Sequence, residues 1–337
     1  MPNARRRSPG TSLLVALVLS LCSLSSAEAA VPRAPVTWGV YVPGAPTTLA
    51  AVRSLGTIAG KAPGIVMWYP TWGGPYSDIK YSRTDVDAVL ASGAVPMLSW
   101  MTWDPSSTGP RSSSAYSNLA IAGGAKDAYI TSWARSLAAA QGTVYLRLDH
   151  EMNGRWYPWS PGAGTSTAAN FVAMWRHVHD VFVREGASNV KWVWSPNVAC
   201  GGCAPLASLY PGDDYVDWLG LDGYNFGTTE GHVWQSFDDV FRASYNDILR
   251  LSRKPLMLAE LGTVEHGSTA AQTKSAWITD ALHAIRTRYR AIRAFVWFEK
   301  NNGSGQDFRL GSAARNVTAF RTALASPVFV SGPLRLP

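Results

Sequence analysis

Eight short apolar runs alternate with longer amphipathic segments, and this alternation constrains the fold more than any other feature of the chain. The runs cover 37–42, 64–69, 95–100, 144–149, 190–195, 215–221, 255–261 and 292–298. Helical periodicity fills 47–59, 84–91, 126–140, 167–185, 233–252 and 271–289, and 313–324 supplies a last helix. Only the segment after the fifth run, 200–209, is too short for a full helix. Strands strictly alternating with helices predict a parallel sheet, and eight such units predict an α/β protein with a single (β/α)8 TIM barrel. A doubly wound open sheet would show a glycine-rich phosphate turn after its first strand. Gly39-Val-Tyr-Val-Pro-Gly44 lacks that spacing, and Pro43 and Pro46 spoil an amide cradle. The tail 326–337, with its three prolines, is expected to lie across the surface.

The barrel is expected to span 30–337. Arg5, Arg6 and Arg7, then an apolar run from Leu13 to Leu21, then Ala27-Glu-Ala29, read as a secretory signal over 1–29. The apolar stretch is too short for a membrane span, so a secreted, extracellular protein with no membrane attachment after processing is expected. Removing the signal segment lowers the formal charge from +7 to +5, evenly spread and without a lysine- or arginine-rich block, which argues against nucleic-acid binding. Cys200 and Cys203, in Cys-Gly-Gly-Cys, predict a loop-pinning disulfide in an exported chain. Two cysteines alone make no zinc site. No metal or organic cofactor is expected, and the chain is expected to act as a monomer.

In such a barrel, reactive groups belong at the carboxyl ends of the strands. The fourth run ends in Arg147-Leu-Asp-His-Glu-Met-Asn-Gly-Arg-Trp-Tyr-Pro-Trp159. Alternation places Arg147, Asp149 and Glu151 on one face and Leu146 and Leu148 on the other. Buried acids and an arginine must pair, and such pairs seldom add stability, which favours a functional reading. Arg147 and Asp149 are expected to orient Glu151. Glu260 is the only ionisable residue in 256–261 and ends the seventh run, with Gly262 permitting a tight exit. Glu265 is the alternative to it, although better placed to cap a helix. Tyr224, ending the sixth run, is positioned to donate its hydroxyl to Glu260. Two carboxyls about 5–5.5 Å apart across a barrel mouth are what glycoside cleavage with retention requires. Of the fifteen tryptophans, two among Trp68, Trp72, Trp100 and Trp103 are expected to line a sugar-binding groove.

Other chemistries fit less well. His150-Glu151 would need a second histidine at 154 to hold zinc, and that position is glycine. His177 and His179 point apart on a helix, and Ser195 lacks the Gly-x-Ser-x-Gly elbow.

His150-Glu-Met-Asn-Gly-Arg-Trp156 resembles the His-Glu-x-Asn-Gly-x-Trp motif of glycoside hydrolase family 26, which consists chiefly of endo-β-1,4-mannanases on barrels of clan A. The resemblance spans roughly 37–325. It implies that Glu151 is the acid/base and Glu260 the nucleophile. It further implies that His150, Trp156, Tyr224 and Trp297 serve the reactive subsite; Asn153 and Trp100 are also expected to contact substrate. Mannanases of this family commonly carry a histidine where Ser99-Trp100 is followed by Met101. That departure leaves β-1,3-1,4-glucan and β-1,3-xylan beside mannan and glucomannan as polysaccharide substrates. A carbohydrate-binding barrel without hydrolysis is the reading from another class. The presence of both carboxylates argues against it.

Overall fold

The computed structural model describes residues 34–74, 77–105, 114–265 and 267–332. The signal segment expected over 1–29 lies outside them. Eight parallel strands close on themselves: β1 (Val36–Tyr41), β2 (Ile65–Trp68), β3 (Val95–Trp100), β4 (Val144–Leu148), β5 (Val190–Trp194), β6 (Trp218–Asn225), β7 (Leu256–Thr263) and β8 (Ile292–Phe298). They hydrogen-bond in order, and β1 pairs with both β2 and β8, which closes the barrel. Helices α1 (Ala50–Ala59), α2 (Ile79–Ala91), α3 (Asn118–Ala122), α4 (Asp127–Ala138), α5 (Ala168–Arg184), α6 (Phe237–Leu251), α7 (Lys274–Thr287) and α8 (Ala314–Leu324) fill the crossovers. This is a (β/α)8 barrel.

Strand alternation divides the core in two. Met67, Met97, Tyr145, Trp218, Met257 and Val296 are among the side chains that fill the barrel interior. Residues of opposite parity, such as Leu98, Trp100, Leu146, Leu258 and Phe295, pack outward under the helices. The long helices start where the sequence can cap them. Thr167 and Ser236 each form a capping box with the residue three positions on, satisfying amides that lack intrahelical partners. After β5 two 3-10 turns, Leu206–Ser208 and Asp213–Tyr215, replace the helix, as the short segment required.

Three expectations need correction. The sixth strand starts at Trp218, not at 215, because Asp213–Tyr215 form a 3-10 turn and the Asp217 carboxylate accepts from the Trp192 amide. Gly262 is not an exit turn: β7 continues to Thr263, and Gly262 makes room for the Phe308 and Tyr224 rings, which a Cβ would meet at 3.0 and 3.1 Å. The tail does not merely cross the surface. Its β9 (Phe329–Val330) pairs parallel with the start of β1, burying Phe329.

Candidate active site

The strand ends of β4, β6 and β7 bring four ionisable side chains together. Arg147 points inward from β4 and is fully buried. Its guanidinium donates to Glu260 Oε1 at 2.7 Å and to Ser99 Oγ at 2.7 Å, and it pairs with Asp222. Ser195 Oγ donates to the other oxygen of Asp222 at 2.9 Å. Arg147 is therefore engaged by β6 and β7 and is not in contact with Glu151, contrary to the orienting role expected for it. Asp149 also turns away. It accepts from the Thr102 amide at 2.8 Å and the Thr102 hydroxyl at 2.7 Å, tying the loop after β3 to the end of β4. Burial pushes the Asp149 carboxyl up to about 7, against the pull of those two bonds.

Glu260 reaches the site because of a register slip. Leu221 is opposite Leu258, but Asp222 is opposite Glu260, so Ala259 is an extra residue on β7. Met257 and Ala259 face the interior, and simple alternation would send Glu260 outward. The bulge resets the parity and aims Glu260 into the barrel mouth, a use bulges commonly have beside active sites. There the carboxylate accepts from Tyr69 Oη at 2.6 Å, from Arg147 and from Tyr224 Oη. Burial and the Glu260 charge raise both phenols well above their ordinary range, so both remain O–H donors at neutral pH.

Glu151 is held differently. The chain leaves β4 through two left-handed residues, Asp149 at φ 44° and Glu151 at φ 54°, a conformation costly without glycine and frequent at functional sites. The Glu151 amide donates to the Ser195 carbonyl at 2.8 Å, and its carboxylate accepts from Trp156 Nε1 at 2.7 Å. Among the described residues, no cation forms an ion pair with it. Burial first, then the Glu260 charge, push it up to about 7; the indole N–H and Arg147 oppose that shift.

Glu151 and Glu260 open into one cavity of about 580 Å³, lined also by Trp156, Asn197, Tyr224 and Phe298. Its size and its mixture of aromatic walls with a few convergent polar groups suit a small-molecule or glycan site. Tyr224 and Trp156 thus stand where expected. His150 is buried beside Glu260, with Nε2 at 4.0 Å from Oε1 and 3.0 Å from Tyr157 Oη. Burial, then Arg147, hold it well below the usual histidine range, so at neutral pH it is an uncharged neighbour of the carboxylate.

Other expected contacts are not at the cavity. Trp100 is wholly buried under the helices against Trp72, Tyr129 and Trp133. Trp297 is buried against Phe320, with its Nε1 donating to the Phe308 carbonyl at 3.1 Å. In both strands the inward parity belongs to the neighbours: Ser99 rather than Trp100, and Phe298 rather than Trp297. None of Trp68, Trp72, Trp100 and Trp103 lines the carboxylate cavity. Asn153 spends its amide on Asn197, donating to its carbonyl and accepting from its N–H, each at 2.8 Å, and so joins the β4 and β5 loops from beneath. Met101 packs into the outer core. Glu265 accepts from Arg315 and Asn316 at the start of α8, a structural role. Tyr69 was the residue missed. It follows Ile65 and Met67 on the inward parity of β2, a signal the sequence does carry.

The β5 loop closes one wall. Cys200 and Cys203 are joined in a disulfide, and Cys200 borders the cavity. Among the described residues, no group of three His, Cys, Asp or Glu is arranged to hold a metal ion, and no helix is long and apolar enough to cross a membrane.

A (β/α)8 barrel with two buried glutamates converging from strands four and seven defines the class: this is a glycoside hydrolase scaffold. Residues 112–268 match the model of glycosyl hydrolase family 26. Endoglucanase H of Acetivibrio thermocellus is 36% identical over 283 residues, covering 82% of this chain and 29% of that protein. Mannan endo-1,4-beta-mannosidase A and B of Caldalkalibacillus mannanilyticus is 32% identical over 164 residues, 47% of this chain and 28% of that protein. The chain thus spans under a third of the length of either relative. Among solved structures, GH26A from Muricauda sp. superposes with a TM-score of 0.62 at 18% identity, covering 89% of this chain and 92% of that one. The modular endo-beta-1,4-mannanase of Cellulomonas fimi gives 0.63 at 19%, covering 88% and 72%. Over residues 112–268 the chain is thus similar to glycosyl hydrolase family 26.

Proposed function

We propose that this protein is a secreted, retaining endo-β-glycanase that cleaves by double displacement. Glu260 attacks the anomeric carbon, and Glu151 protonates the departing oxygen. Water that Glu151 then deprotonates releases the glycosyl group from Glu260. One observation carries the reading: the two glutamates share a cavity but not an environment. Glu260 accepts from Arg147, Tyr69 and Tyr224 and so suits the nucleophile, an acceptor-only role. Glu151, without a cation and raised to about 7, suits the group that must hold a proton and then surrender it. Tyr69 and Tyr224 hold the two different oxygens of Glu260, and the exposed Trp156 ring offers a flat face to a pyranose.

β-Mannan or glucomannan is the substrate class that follows from the family likeness. Mixed-linkage β-glucan is the second reading, and two observations favour it. The relative matching 82% of the chain is named an endoglucanase, and Met101, turned into the core, leaves strand three without the polar contact common in mannanases. Release of reducing ends from mannan, glucomannan, β-1,3-1,4-glucan and β-1,3-xylan decides among them. Glu260→Ala is expected to lose nearly all turnover and to recover part of it with azide. Wild-type activity in that variant, or binding without products on every glycan, would end the proposal.

A further inference from the structure

The opposite end of the barrel holds a second cavity, of about 700 Å³, at the amino-terminal ends of β5 to β8. Its lining includes Lys191, Arg253, Lys254, Arg290 and Arg293, against one carboxylate, Asp217. That imbalance far exceeds the chain's overall 30 basic to 23 acidic residues. Asp217 accepts from the Trp192 amide at 2.8 Å and keeps its charge. Nearby Asp213 accepts from the Tyr210 hydroxyl and also attracts Lys254, so two carboxylates in all face the basic set. Among the described residues, Lys191, Arg253, Lys254 and Arg293 form no ion pair. Two of them are nonetheless fixed in place. Lys191 Nζ donates to the Ser188 carbonyl and Arg293 Nε to the Pro35 carbonyl, each at 3.2 Å, and neither bond neutralises a charge. Lys191, Lys254 and Arg293 are half-buried.

Like charges gathered in a concavity repel one another and focus a positive potential outward. Arginine forks in such a site match the paired oxygens of carboxylate or phosphate. We propose that this amino-terminal face is a binding site for the oxyanion groups of an acidic carbohydrate polymer, separate from the glycan in the carboxylate cavity. The concavity is compact and lacks the long basic stripe that a nucleic-acid backbone needs. A polymer held there would tether the barrel while its far mouth stays open. The proposal does not depend on the glycosidase reading, because its readout is binding.

The test uses affinity electrophoresis of the full chain through gels holding polygalacturonate, inorganic polyphosphate, duplex DNA or neutral dextran. We expect retardation by an anionic polymer, weakening about tenfold in Arg253→Glu/Lys254→Glu and on raising salt from about 20 to about 200 mM. Stronger retardation by polygalacturonate assigns a uronate ligand, and by polyphosphate a phosphate one. Thermal melting confirms that the variant is folded, and Arg253→Ala/Lys254→Ala, with the charges removed rather than reversed, should fall between it and the parent. No retardation beyond that by dextran overturns the proposal, as does retardation unchanged in both variants. Stronger retention by duplex DNA overturns it in favour of a nucleic-acid surface.

Discussion

At the scale of single residues, the site is a problem of too many carboxylates for one cation. Arg147 pairs with Asp222 and Glu260, yet burial still holds the Asp222 carboxyl well above its usual range, and Glu151, paired with no cation among the described residues, is raised as well. A carboxyl whose folded pKa is raised contributes stability below its unfolded value, and that contribution is lost as pH rises through the folded one. For Glu151 the window runs from 4.5 to about 7. Glu151→Gln, which cannot ionise, is therefore expected to be more stable than the parent at pH 8, by on the order of 1–3 kcal/mol, with no gain at pH 4. Urea melts at the two pH values check this; a difference that ignores pH would contradict it. If Glu151 is the acid proposed, the same titration should also set the alkaline limb of the pH–rate profile, which is expected to fall as Glu151 ionises. Asp149 tests a neighbouring point. Asp149→Ala strands the buried amide and hydroxyl of Thr102 and should cost about 2–4 kcal/mol. Asp149→Asn keeps an acceptor and tolerates the left-handed backbone, so it should lose well under half of that in the same melts.

At the scale of elements, the β4 and β5 loops act as one wall. Asn153 binds Asn197, the Ala204 amide donates to the Asn153 carbonyl at 2.7 Å, and Arg155 Nε donates to the Gly202 carbonyl at 2.9 Å. The Cys200–Cys203 bridge pins the turn that presents these groups. Cys200→Ser/Cys203→Ser should cost about 2 kcal/mol, as a short closed loop implies. Because Cys200 borders the cavity while Glu151 hangs from Ser195, the change should raise KM several-fold and alter kcat by less than about twofold. A fall in kcat at unchanged KM would place the loop's effect on Glu151 instead. The strands were legible because they are apolar runs set off by amphipathic helices, the β5–β6 connection excepted; β3 and β8 run as expected to the residue. Helix α3, five residues capped by Ser117, is too short to show a period. Glu151, Glu260 and Tyr224 were legible as polar groups ending apolar runs. Trp100 and Trp297 were misread because a strand-end aromatic looks the same on either face. The parity set by Met97 and Val296 decides which way it points.

At the scale of the whole molecule, the carboxyl end of the barrel is written in motifs, whereas the amino end is written only in contacts between distant segments. Nothing in Phe329 or Lys61 announces that they meet. Yet the Val36 amide donates to the Val328 carbonyl at 2.8 Å, and Thr37 Oγ1 to the Gly332 carbonyl at 3.0 Å. Lys61 Nζ gathers the carbonyls of Leu324, Ser326 and Phe329. Gly64 lets the tail in: a Cβ there would stand 2.6 Å from the Gly332 amide nitrogen. The tail thus covers the start of β1, where that strand extends below β2. Truncation after Ala325 removes the buried Phe329 ring and these bonds, so it should cost about 3–5 kcal/mol. Phe329→Ala alone should cost nearly as much, since the ring leaves a cavity. The carboxylate cavity lies at the other end, so specific activity of the folded fraction should be retained in both. Urea midpoints and initial rates at 25 °C measure the two effects separately. An unchanged midpoint would mean that β9 is dispensable to the barrel, and a loss of rate at full stability would mean that the two ends are coupled through the strands.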